Sequence, residues 1–363
     1  MKVGIVGLPN VGKSTLFNCL SQSKAQSENY PFCTIDPNVS IVNVPDLRLN
    51  KLNELINPEK LIPTTVKIVD IAGLVKGASK GEGLGNKFLS NIRETDAIIH
   101  VLRCFDDPNI VHVDGKINPL SDKEVVEYEL VLKDIEVLDK RLDKIKKTLR
   151  SGSDESKKEI EVLEKVRTQL ENMSVKIDDY SEDQFLGFIK PLELISFKPI
   201  LYVCNVNEND VINGNSYVDD VKNQIKTNDS EVIIISAKIE SEINELDSFE
   251  EKKIFLDDLG LKESGSNKLI RASYKLLNLH SYFTAGDKEV RGWTIRIGDS
   301  AYDAAGQIHT DFQKGFICAE VINYNDYIEF GSESKVKEAG KMRLEGKEYI
   351  VADGDIMHFR FNI

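Results

Sequence analysis

The segment Gly7-Leu8-Pro9-Asn10-Val11-Gly12-Lys13-Ser14 fits the phosphate-loop spacing G-x-x-x-x-G-K-[ST]. Each fixed position has a chemical task. The glycines let main-chain N–H groups close around phosphate oxygens, so Asn10, Val11, Gly12, Lys13, Ser14 and Thr15 are expected to wrap a β-phosphate at the positive end of the following helix. The Lys13 ammonium would bridge β- and γ-phosphates, and the Ser14 hydroxyl would ligate Mg²⁺. An apolar strand-like run, Lys2–Val6, leads into the loop, which is the context this motif requires.

A second cluster follows at the expected distance. Asp70-Ile71-Ala72-Gly73 ends another apolar run. An acid there holds Mg²⁺ through a water, and the Gly73 N–H can reach the γ-phosphate. Thr34, in Tyr30-Pro31-Phe32-Cys33-Thr34, reads as a second Mg²⁺ ligand from a switch loop. The residue after Gly73 is Leu74, where many GTPases carry a Gln that orients the attacking water. Leucine cannot hydrogen-bond, so turnover is expected to be slow unless another group positions the water. His112, in the polar loop after Ala97–Arg103, is a candidate for that part. Gly77, Gly81, Gly83 and Gly85 suit a mobile loop.

The base end of such a site is read from Asn205-Val206-Asn207-Glu208 and Ser236-Ala237-Lys238. A guanine reader of the N-K-x-D kind uses its Asp carboxylate to accept from N1–H and the 2-amino group. Val206 replaces that Lys, and Glu208 is one methylene longer than that Asp. Adenine has no proton on N1 and no 2-amino group, so a carboxylate there finds no donor. The tetrad favours ATP, whereas Ser236-Ala237 and Lys238 are common in GTP-binding frames.

These residues need rigid elements behind them. Lys2–Val6, Val39–Val44, Thr65–Asp70, Ala97–Arg103, Pro199–Cys204 and Glu231–Ser236 are apolar, β-branched runs separated mostly by helical stretches. That pattern predicts a doubly wound α/β fold with a mostly parallel sheet, its ligand loops at the strand ends. The expected divisions are 1–120 with 197–277 as the nucleotide domain, 121–196 as a helical insertion, and 278–363 as a small α+β module. In the insertion, Tyr128, Val131, Ile135, Leu138, Leu142, Ile145 and Leu149 form one heptad seam, and Ile160, Leu163, Val166, Leu170 and Met173 a second. Ser151-Gly152-Ser153-Asp154 breaks them, which predicts an antiparallel hairpin. Lys140, Arg141, Lys144, Lys146, Lys147, Arg150, Lys157 and Lys158 cluster at its tip, either as a solvated face or as a contact for RNA or another acidic partner.

The chain has 363 residues, 41% hydrophobic and 29% charged, with a net charge of −13, which argues against a nucleic-acid coat or an anionic membrane surface as its partner. The C-terminal module, from Asn278 on, is acidic too, with ten Lys/Arg against fourteen Asp/Glu. Short alternating runs (Trp293, Ile295, Ile297; Met357, Phe359, Phe361) flank a helix-like Ala304–Phe312 stretch. No apolar run approaches membrane-spanning length, and Met1 leads directly into the phosphate loop with no room for a signal peptide. Five scattered cysteines fit reduced thiols in a cytoplasmic protein, and a monomer is expected.

Taken together, these motifs make the chain resemble the Obg-like ATPase (YchF) family, within the translation-factor class of P-loop GTPases. The resemblance spans nearly the whole chain. It rests on Gly7–Thr15, Asn29–Ile35, Asp70–Val75, Gly77–Leu89, Asn91–Ala97, Asn205–Glu208 and Tyr282–Gly286. Ile308-His309-Thr310-Asp311-Phe312 with Gly315-Phe316-Ile317 is similar to the TGS module, a ubiquitin-like β-grasp. The resemblance implies Mg²⁺-dependent hydrolysis of ATP in preference to GTP, binding to the ribosome or its large subunit, a coiled-coil insert and a C-terminal TGS domain. Carried over by position, Asn10 to Thr15 bind phosphates, Ser14 and Thr34 ligate Mg²⁺, and Val206 contacts adenine through its backbone. Three readings stay open: a slow ATPase acting as a switch, a nucleotide-gated ribosome-binding module with negligible hydrolysis, and an ordinary translation-associated GTPase.

Overall fold

The computed structural model describes residues 1–22, 38–71, 91–112, 115–148, 154–225 and 230–362. These form two compact units. The first takes the described residues of 1–40 and 67–266, the second those of 41–66 and 267–362.

The first unit is built on a six-stranded sheet in the order β2-β4-β1-β5-β6-β7. Its strands are β1 (Lys2–Val6), β2 (Val39–Asn43), β4 (Thr65–Asp70), β5 (Ala97–Arg103), β6 (Ile200–Asn205) and β7 (Val232–Ile235). β1 pairs in parallel with β4 and β5, β5 with β6, and β6 with β7. All seven residues of β5 are buried, the condition of a central strand covered on both faces. Helices α1 (Lys13–Gln22), α5 (Ser216–Ile225) and α6 (Ala237–Glu245) each follow a strand. The doubly wound α/β expectation holds, and the loops that leave β1, β5, β6 and β7 gather at the carboxyl edge of the sheet.

The insertion is the expected pair of helices, α3 (Pro119–Thr148) and α4 (Asp154–Glu171). Val131, Leu138, Leu142 and Ile145 pack with Val162, Leu163, Val166 and Leu170 in one buried cluster. The seam is shorter than the heptads suggest. Tyr128 is 56% exposed and Met173 46% exposed at the root of the hairpin, where α4 has ended at Glu171. Met173 also takes a left-handed backbone (φ 51°) that stops the helix. Asp134 at the hairpin root is fully buried and accepts from the Ile195 and Ser196 N–H groups at 3.0 and 2.7 Å.

The second unit has a sheet in the order β11-β10-β12-β8-β9-β3. Its C-terminal strands are β8 (Leu279–Ala285), β9 (Glu289–Arg296), β10 (Phe316–Ile322), β11 (Arg343–Glu345) and β12 (Ile356–Phe361). β8–β9 is an antiparallel hairpin, β12 lies parallel to β8, and the short helix Ala301–Ile308 packs over one face in a cluster with Tyr282, Ile295, Val321, Met357 and Phe359. This is a β-grasp arrangement. Ile297 falls outside that core, 60% exposed beyond the end of β9. The sixth strand comes from far upstream: β3 (Lys60–Ile62) pairs with β9, and helix α2 (Leu47–Ile56) buries Leu49 and Leu52 against Phe283, Val290 and Ile356. Residues 41–66, which the sequence reading assigned to the nucleotide domain, belong to this second unit through those contacts.

Candidate nucleotide site

A cavity of about 720 Å³ opens at the carboxyl edge of the first sheet. It is lined by residues at four strand ends and the loops or helix starts that follow: Asn10, Gly12 and Thr15 beyond β1, Phe105, Asp107 and Ile110 beyond β5, Asn205 to Asn209 at the end of β6, and Ser236, Ala237, Lys238 and Ser241 beyond β7.

The phosphate-loop backbone is contorted as the motif demands. Gly7 has φ 151° and Gly12 φ 95°, a region that side chains rarely adopt. A Cβ on Gly7 would come within 2.5 Å of the Val101 carbonyl, and one on Gly12 would collide with the Asn205 amide. Asn10 is itself left-handed (φ 62°), and its side-chain amide donates to the Val111 carbonyl at 3.1 Å. Val11 is 1% exposed and packs inward, so its part in a site is main-chain. The first turn of α1 leaves N–H groups without intrahelical acceptors, aimed outward with the helix dipole behind them.

Lys13 is 7% exposed, and its ammonium donates to the Leu8 carbonyl at 2.5 Å. Burial lowers its pKa to about 8, with the charge of Asp70 pulling the other way. The same burial raises Asp70 while Lys13 lowers it. Among the described residues the buried cation keeps no carboxylate hydrogen bond, which suits it to a ligand's negative oxygens. Among the described residues, neither the Ser14 hydroxyl nor the Asp70 carboxylate makes a hydrogen bond, leaving hard oxygen donors of the kind Mg²⁺ prefers. Thr34, Gly73 and Leu74 lie outside the described residues, as do Arg150 and the glycine-rich stretch Gly77–Gly85.

At the other end, Asn205 is 6% exposed and works as a strut. Its amide donates to the Val11 carbonyl and its carbonyl oxygen accepts from the Ala237 N–H, both at 2.9 Å. Val206 is 3% exposed, and its N–H donates to the Ile235 carbonyl at 2.9 Å, so only its carbonyl can turn to a ligand. Ser236 is buried and caps α6, accepting from Ile239 at 3.5 Å. The Glu208 carboxylate is in an ion pair with the Lys238 ammonium, which joins the β6 and β7 loops across the cavity rim. Glu208 holds Lys238 above the usual lysine pKa.

His112 is not among the lining residues. Its Nε2 pairs with Asp122 Oδ2 at 2.9 Å, both side chains buried, so it anchors the β5 loop to the start of α3. A residue that the sequence reading passed over has a larger hand in the site. Arg103, the last residue of β5, is 1% exposed and donates to the carbonyls of Phe105 (3.2 Å), Asp107 (3.2 Å) and Ile110 (3.0 Å). The only sequence signal was an arginine ending a run of buried apolar residues.

The hairpin bases are less free than their sequence suggests. From Asp139 to Arg167 there are ten Lys/Arg and seven Asp/Glu. Arg141 pairs with Glu159 at 2.6 Å, Lys146 with Glu164 at 2.8 Å, Lys157 with Asp154 at 3.3 Å and Arg167 with Asp139 at 2.8 Å. The acids that pair with these bases come mainly from the second helix, at Asp154, Glu159 and Glu164, with Asp139 from the first.

Two family models match the chain. One, described as a 50S ribosome-binding GTPase, covers residues 2–165, and YchF-GTPase_C, described as a protein of unknown function, covers residues 279–362. The chain is 54% identical over 362 residues to a Ribosome-binding ATPase YchF of Haemophilus ducreyi, covering 100% of this chain and 99% of that one. It is 52% identical over 366 residues to the protein of that name from Bacillus subtilis, covering 100% of both. A solved structure of the Schizosaccharomyces pombe YchF GTPase superposes with a TM-score of 0.87 at 39% identity, over 99% of this chain and 97% of that one. With a phosphate loop, a base cavity and full-length likeness of this order, the chain belongs to the YchF family of P-loop nucleotide-binding proteins.

Proposed function

We propose that the protein is a Mg²⁺-dependent ATPase with slow intrinsic turnover, whose bound nucleotide governs its association with the ribosome or its large subunit in the cytoplasm. The names of its relatives divide between ATPase and GTPase, so the choice rests on the base end of the cavity. One observation carries it: two of the main-chain donors beside the base, on Val206 and Ala237, are already spent. Val206 N–H goes to Ile235 and Ala237 N–H to Asn205. Glu208, the acceptor a guanine N1–H would need, is held by Lys238. The remaining Val206 carbonyl is an acceptor, and the adenine 6-amino group is a donor.

At the phosphate end the loop N–H groups hold the β-phosphate, and Lys13 leaves the Leu8 carbonyl to bridge β- and γ-oxygens. Ser14 and Asp70, with Thr34, are the residues that would hold Mg²⁺, which supplies charge neutralisation on the γ-phosphate. Leu74 offers no hydrogen bond to a water, which supports slow turnover without a partner. His112, committed to Asp122, serves as an anchor in this reading. The hairpin offers Lys140, Lys147 and Lys158, which make no ion pair among the described residues, for an RNA contact. The β-grasp unit is read as the TGS domain.

Competition of ATP against GTP for the wild-type protein, with ribosome pelleting in ATP and in ADP, tests both halves. The expected outcome is at least tenfold preference for ATP and a difference in pelleted protein between the two nucleotides. Tighter GTP binding would restore the GTPase reading. Negligible hydrolysis even with ribosomes, together with nucleotide-dependent pelleting, would favour the gated binding module.

A further inference from the structure

We propose that Arg103 is a positioning residue for the nucleotide: it holds residues 105–110 as a prebuilt wall of the base cavity. The proposal rests on the reading of that cavity as the nucleotide site. Arg103 is 1% exposed at the carboxyl end of the central strand, and among the described residues all of its guanidinium hydrogen bonds run to main-chain carbonyls of the loop that follows. Three donors from one rigid, planar group fix three points of a short loop at once, a geometry that an ammonium cannot copy. The same plane lies 4.7 Å from the Phe105 ring centroid, so the first lining residue of the wall is held by its ring as well as its carbonyl.

The loop so fixed contributes Phe105, Asp107 and Ile110 to the cavity. Its own bonds tighten it further: Asp107 accepts from the Asn109 N–H through Oδ1 (2.8 Å) and from the Ile110 N–H through its carbonyl (3.2 Å). One residue on, the Val111 carbonyl receives the Asn10 amide of the phosphate loop. The wall therefore ties the base end to the phosphate end without any side chain of Arg103 touching a ligand. On the far side, Asn215 donates to the Cys104 carbonyl and to Asp210, both at 2.8 Å, linking the root of the same loop to the turn after Glu208. A preformed wall spares the ligand the cost of ordering the loop.

Arg103→Lys keeps the charge and loses the fork. The KM for ATP and the dissociation constant of a fluorescent ATP analogue should rise about tenfold, while kcat falls far less than KM rises, because Arg103 holds the base end and not the reacting phosphates. A purely structural arginine would lower the melting temperature and leave the KM of the folded variant unchanged, and that result overturns the proposal. Hydrogen exchange on the wild-type protein covers the case of a variant that does not fold. Peptides spanning 105–112 should be protected before nucleotide is added, and fast exchange without nucleotide, with protection only on ATP binding, overturns it too. A wild-type protein that binds neither ATP nor GTP would sink the site reading instead, independently of Arg103.

Discussion

The phosphate loop and the base cavity beside it present their polar groups in opposite ways. Among the described residues, the phosphate end keeps its polar groups open: helix N–H groups without acceptors, a buried ammonium resting on a single carbonyl, and the unengaged oxygens of Ser14 and Asp70. At the base end nearly every polar group is already committed, with Asn205, Val206 N–H, Ala237 N–H and Glu208 each holding a partner. In the proposed reading, triphosphate binding follows from what is offered, and base selection from what is withheld. A site can lose guanine reading without losing its frame, because the withheld groups are spent on rigidity.

The phosphate end should break hardest. Lys13→Ala removes the one cation that, among the described residues, is buried at that end, and turnover should fall by roughly two to three orders of magnitude, with ATP affinity falling alongside. Thermal unfolding should not weaken, since a desolvated ammonium held by one carbonyl is costly to bury. Steady-state hydrolysis and a melting curve on the same preparation check both. A variant that hydrolyses ATP normally would mean that the phosphates lie elsewhere.

The difference between the ends also explains what could be read from the chain alone. Main-chain recognition needs glycine at fixed steps, so Gly7, Gly12, Lys13 and Ser14 are visible as a pattern. Commitment leaves no pattern. Nothing in the spacing says that Asn205 reaches back to Val11, that Glu208 meets Lys238, or that Arg103 is satisfied by carbonyls. The sheet strands were legible because burial on both faces makes them continuously apolar. β3 was not, since three residues, Lys60–Ile62, have no period to detect, and its place beside β9 depends on a partner 229 residues away (Lys60 with Glu289). The seam ends failed for a related reason: the heptad pattern continues to Tyr128 and Met173, although α4 stops at Glu171.

Asn205 is where the two ends meet, and its loss should show an intermediate effect on both. Asn205→Ala strands a buried carbonyl on Val11 and a buried N–H on Ala237, a cost of about 1–3 kcal/mol in stability. The phosphate loop and the β7 loop lose their common strut, so ATP and GTP should weaken together, by about tenfold each. Denaturant unfolding and paired titrations measure this. Loss confined to one nucleotide would mean that Asn205 reads the base directly, and the contrast between open and committed ends would have to be redrawn.

The smallest effect is the sharpest test of withholding. Lys238 and Glu208 are both solvent-accessible, with side chains 72% and 42% exposed, and such pairs are weak. Lys238→Met nevertheless frees a carboxylate at the cavity rim, within the loop that also supplies Val206 and Asn207. A free carboxylate can accept from a guanine N1–H and 2-amino group and has nothing to accept from adenine. GTP affinity should therefore rise by a few-fold at most, more than any change in ATP affinity. Adding Glu208→Gln should cancel the gain, because the amide cannot replace the charge, and the double variant should return to the selectivity of Glu208→Gln alone. If Lys238→Met shifts both nucleotides equally, the pair merely shapes the rim, and the discrimination against guanine must come from the spent N–H groups of Val206 and Ala237.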